Sequence, residues 1–70
     1  SQTFEKLRLW RMQTARAKGL PAYMVFSDAT LQMIAARKPS SLRGLSAISG
    51  IGDKKLSLYG EEVLEVLRGI

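Results

Sequence analysis

Only one stretch of this 70-residue chain has the composition of a β-strand, Leu20-Pro21-Ala22-Tyr23-Met24-Val25-Phe26. A lone strand cannot satisfy its backbone ladder, and even a two-stranded hairpin is marginal in water. No second such run exists, so the stretch reads as a buried connecting loop with a short turn, and the chain must fold from helices. The length allows one small core, and with no cysteine there is no disulfide to staple it. Stability has to come from close helix packing.

The helices are set off by turn signals. From Phe4 to about Lys18 no Gly or Pro interrupts, and Phe4, Leu7, Trp10, Thr14 and Lys18 fall three or four apart on one face. Arg11 edges that stripe, with Asp28 as its expected ion-pair partner, while Leu9 and Met12 point the other way. Gly19 is placed to stop the helix, and Pro21 to prevent its continuation. Ser27 and Asp28 offer N-caps for a second helix, Asp28 to Arg37, with Leu31, Ile34 and Ala35 inward and Pro39 as its limit. Ser40 or Ser41 caps a short third helix through about Ile48, carrying Leu42, Leu45 and Ile48. After Gly50-Ile51-Gly52 a fourth helical stretch starts near Asp53, with Leu56, Tyr59, Val63, Leu67 and Ile70 inward and Gly60 as a possible break. The expected shared core is Leu7, Trp10, Leu31, Ile34, Leu45, Ile48, Leu56 and Leu67.

Charge narrows the function. Lys plus Arg number 11 against six Asp plus Glu, a net +5. Lys6, Arg8, Arg11, Arg16 and Lys18 face Glu5 alone in residues 1–18, and Arg37, Lys38, Arg43, Lys54 and Lys55 face Asp53 alone in residues 37–55. Such clusters either attract a polyanion, releasing its counterions, or simply form a solvated basic surface. The absence of Cys and His removes the usual zinc sites, thiolate nucleophiles and His-based triads. Glu61, Glu62 and Glu65 read as a solvated acidic face, not a metal cluster. No cofactor, metal site or catalytic set is expected. No apolar run nears the ~18 residues of a membrane span, and the first residues carry no basic-then-apolar leader. The expectation is one domain over residues 1–70, intracellular and cut from a larger protein.

Three local features carry candidate chemistry. Leu45-x-x-Ile48-x-Gly50-Ile51-Gly52-x-x-Lys55 reads as a helix, a tight turn and a second helix. Lys54 and Lys55 sit beside free N-terminal amides that favour phosphate, while Ile51 packs inward. Tyr23, beside Pro21 and downstream of Arg16 and Lys18, reads either as a ring that stacks on an unpaired base or as one more hydrophobic anchor. Trp10, flanked by Arg8 and Arg11, shares its face with Phe4 and Leu7 and so belongs to the core.

Together these motifs resemble the HRDC family, the helicase and RNase D C-terminal module. The resemblance runs from Leu7-Arg8-x-x-Arg11 through Leu20-Pro21-Ala22-Tyr23-x-Val25-Phe26-Ser27-Asp28-Ala29-Thr30-Leu31. It continues in Ile34-Ala35, Pro39, the Gly50-Ile51-Gly52-x-x-Lys55 hairpin and Tyr59-Gly60. Phe26-Ser27-Asp28-Ala29-Thr30-Leu31 looks most like the bacterial RecQ-family helicases. The resemblance implies an all-α bundle of about five short helices, without catalysis of its own, accompanying an ATP-dependent DNA helicase in the bacterial cytoplasm. It implies weak binding of single-stranded or branched DNA by a monomer, with Tyr23 in the binding loop and Gly50, Gly52 and Lys55 in the hairpin. Ala22 stands where some relatives have a second Pro. The expected DNA-binding residues are Tyr23, Arg16, Lys18, Lys54 and Lys55. The alternative is a docking module for the helicase core of the same chain, through Leu9 and Met12.

Overall fold

Five helices follow one another: α1 (Gln2–Lys18), α2 (Ala22–Val25), α3 (Asp28–Arg37), α4 (Leu42–Ser46) and α5 (Asp53–Arg68). They belong to a computed structural model that describes residues 1–69; Ile70, expected on the inner face of the last helix, lies outside them. No strand occurs among the described residues, and no helix there is long and apolar enough to cross a membrane.

Local chemistry sets the helix ends. Ser1, Ser27 and Ser41 each turn a side-chain oxygen onto the amide three residues on, at Phe4, Thr30 and Gly44, satisfying an N–H that the helix cannot. With Ser1 as its cap, α1 starts two residues before the expected Phe4. Gly19 closes α1 in the left-handed conformation, φ 68°, and its N–H returns to Ala15 and Arg16 carbonyls. The expected loop at 20–26 contains the four-residue α2, which buries Val25 and leaves Tyr23 and Met24 exposed.

α1 is the hub, packing on α2, α3 and α5, while α4 packs on α5. Leu7, Val25, Phe26, Leu31, Ile34, Leu45, Ile48, Ile51, Tyr59, Val63 and Leu64 form the buried core. Five of the eight expected core residues are there. Trp10, Leu56 and Leu67 pack against it half-buried. Trp10 stops short because its indole N–H needs a partner: it donates to Glu62 Oε1 at 3.0 Å, which holds one ring edge at the surface. Its ring meets Phe26 and Tyr59, with centroids 6.0 and 5.9 Å away, and Phe26 and Tyr59 meet at 5.6 Å. Along α5 the expected Tyr59 and Val63 are buried and Leu56 and Leu67 pack against the core, while Gly60 and Leu64 are buried beside them and widen the inward stripe.

Gly60 does not break α5. Its backbone is buried, and a methyl group there would stand 2.7 Å from Leu42 Cδ2, so the glycine makes room for α4 to approach. Leu42 lies over that gap, still 38% exposed, instead of inside the core. α4 ends at Ser46, and Ile48 and Ile51 are buried from the turn that follows. Gly50 in that turn has φ 95° and rests on Thr30, whose hydroxyl donates to the Ser49 carbonyl at 3.0 Å.

Arg11, 8% exposed, ties α1 to the α2–α3 junction. Its Nη1 donates to the Phe26 carbonyl at 3.0 Å and its Nη2 pairs with Asp28 Oδ1 at 2.8 Å. The expected ion pair is present, with its carboxylate side chain 77% exposed.

Candidate functional site

The end of α1, the connection into α2 and the first turns of α5 enclose a groove of about 290 Å³. Lys18, Lys54 and Lys55 line it together with Leu20, Met24, Leu58 and Tyr59. The sequence separates Lys18 from the Lys54–Lys55 pair by about half of the chain; packing of α1 against α5 brings them to one opening. Lys18 stands in the last turn of α1, where a cation complements the helix dipole. Lys54 and Lys55 stand in the first turn of α5, after Gly52, an N-cap with no side-chain bond to the amides that follow. The first turn of that helix therefore keeps donors facing outward, and its dipole adds positive potential to the two ammonium groups.

Two of the three lysines rest on rings. Lys18 Nζ lies 5.2 Å from the centroid of Tyr59, and Lys55 Nζ lies 5.7 Å from that of Phe26. Both are within reach of a cation–π attraction, which limits how far these flexible side chains wander before a ligand arrives. The groove lining contains no acidic side chain.

Tyr23 is 68% exposed, so it is no core anchor and its ring lies at the surface. It sits on α2 next to Met24, a lining residue, but does not itself line the groove. Arg16 is exposed in the last turn of α1 and also lies outside the lining. The structure thus gathers Lys18, Lys54 and Lys55, sets Tyr23 on the short helix that forms one wall, and leaves Arg16 off to the side. Leu9 and Met12 are exposed on the outer face of α1, as their position opposite the stripe predicts. Glu62 of the acidic trio holds the Trp10 indole instead of standing as free acidic surface.

Sequence reasoning missed the apolar part of the groove, Leu20, Met24 and Leu58. Leu58 carried a signal: it is a leucine off the inward stripe of α5, next to a buried tyrosine, and 46% exposed.

The HRDC domain family model matches residues 1–67. The chain is 47% identical over 64 residues to the ATP-dependent DNA helicase UvrD2 of Mycobacterium tuberculosis, covering 91% of this chain and 9% of that protein. It is 34% identical over 67 residues to the ATP-dependent DNA helicase RecQ of Bacillus subtilis, covering 96% of this chain and 11% of that one. Among solved structures, D. radiodurans RecQ HRDC domain 3 matches with a TM-score of 0.92 at 36% identity, covering 96% of this chain and 88% of that one. The chain spans about a tenth of the length of the helicases it matches.

Proposed function

The chain belongs to the HRDC domain family, and from that premise we propose that it is a non-catalytic accessory domain of a larger DNA helicase, where it binds single-stranded or branched DNA weakly. The observation that carries this reading is the convergence of Lys18, Lys54 and Lys55 on one groove beside an exposed Tyr23. Phosphates meet the three ammonium groups and release their counterions, which makes the complex salt-sensitive. The Tyr23 ring stacks on an unpaired base, with little preference for which base, because every base offers a π-face. Arg16, outside the groove, adds long-range attraction and no specific contact. The chemistry needs no cofactor and no metal.

The two contributions separate in a salt titration of the protein against a dye-labelled single-stranded oligonucleotide, read by anisotropy. Tyr23→Ala should weaken binding by about 1–3 kcal/mol and leave the salt slope nearly intact, since stacking releases no ions. Lys18→Ala should flatten the slope by about 0.7 for each phosphate that the lysine no longer neutralises. A Tyr23→Ala protein that unfolds cooperatively and binds with unaltered affinity refutes the stacking site.

A further inference from the structure

We propose that the groove between α1, α2 and α5 is also a docking site for an acidic peptide segment carrying aliphatic side chains, so that DNA and a protein segment compete for the same three lysines. The groove lacks what a base-binding cleft offers, a bare aromatic face. The single aromatic in this lining, Tyr59, is 4% exposed, and the Lys18 ammonium stands over its ring at 5.2 Å. What remains open to a ligand is aliphatic: Leu20, Met24 and Leu58, at 37%, 49% and 46% exposed.

None of those three side chains belongs to the buried core. A cluster of apolar groups left in water, rimmed by charges of one sign, is the surface form of an interaction site. Its chemistry selects the occupant. Leucine and methionine accept aliphatic side chains, and the unbranched Met24 can adjust to their shape. Lys18, Lys54 and Lys55, with no acidic side chain in the lining, select carboxylates. Nucleotides satisfy the lysines but leave the leucines wet; an acidic, aliphatic segment satisfies both. The occupant is a segment of a partner protein, recognised by its carboxylate and aliphatic side chains together.

The test uses a dye-labelled dodecapeptide alternating Asp or Glu with Leu or Ile, and a control of equal charge with every Leu and Ile replaced by Ser. The aliphatic peptide should bind about tenfold tighter than the control, the gain from burying one leucine-sized side chain. Leu58→Gln, at an exposed position, should erase that preference. Lys55→Gln should weaken both ligands, and the aliphatic peptide should displace the oligonucleotide. Equal binding of the two peptides overturns the proposal, as does a preference that survives Leu58→Gln in a cooperatively folded protein. Simultaneous binding of peptide and oligonucleotide overturns the shared site. The peptide measurements are read without DNA, so failure of the DNA reading leaves them standing, and the reverse also holds.

Discussion

Replacing Gly50 by alanine should remove a large part of the stability of this domain, and the cost should depend on Thr30. Two terms add. The backbone at Gly50 has φ 95°, a region where an L-residue costs on the order of 1–3 kcal/mol. The new methyl would also stand 2.2 Å from Thr30 Oγ1 and 3.3 Å from Thr30 Cβ. Thr30 cannot swing aside freely, because its hydroxyl donates to Ser49 at 3.0 Å and accepts from Ser27 Oγ at 3.2 Å. Losing such a bond costs about 1 kcal/mol, and the residual overlap adds to it. The expected total is about 3–4 kcal/mol, against roughly 4–10 kcal/mol for a whole domain of this size.

A double-mutant cycle by urea denaturation isolates the contact. Thr30→Ala alone should cost about 1 kcal/mol, since the Ser27 cap on the Thr30 amide survives. It also removes the hydroxyl that the Gly50 methyl would strike. Gly50→Ala with Thr30→Ala should therefore be more stable than the sum of the single changes predicts, by about 1–2 kcal/mol. Additivity within about 0.5 kcal/mol would show that backbone strain alone explains Gly50, and would refute the steric contribution.

Leu45 is 1% exposed, so Leu45→Ala should cost about 3–5 kcal/mol and lower the melting temperature by more than roughly 10 °C; an unchanged thermal transition would contradict the placement of α4 against α5. Arg11→Ala should cost about 2–4 kcal/mol by removing a buried stem and the charged bond to the Phe26 carbonyl. Asp28→Asn should cost less than about 1 kcal/mol because solvent screens its exposed carboxylate, and equal losses in the two variants by chemical denaturation would refute this division.

Helix boundaries were legible in this sequence because they rest on local chemistry. Ser27 and Ser41 act through an amide three residues away, and Gly19 through a backbone angle. Periodicity likewise placed Leu7, Leu31 and Ile34 in the core. On α5 it placed Tyr59 and Val63 in the core and Leu56 and Leu67 against it, but left out Leu64, whose burial depends on the packing partners at the edge of the stripe. Gly60 looked like a break because its low helix propensity is visible locally, whereas its use, room for Leu42, belongs to another helix. Tyr23 was undecided for a related reason: α2 has four residues, too few for any period to assign a face. Within the site, Lys18, Lys54 and Lys55 were identifiable one by one. Their shared groove, with its aliphatic wall, exists only after α1 has met α5.

Trp10 is the sole tryptophan of the chain, and its place against Phe26 and Tyr59 makes it an optical gauge. Light absorbed selectively by its indole is re-emitted from the spot where α1, the end of α2 and α5 join. The two rings it touches are the ones beneath Lys55 and Lys18. An anion that draws either ammonium away changes the electric field around the indole without touching it. The emission spectrum of the unlabelled protein is therefore expected to respond when the groove fills, and to do so before anything in the fold comes apart.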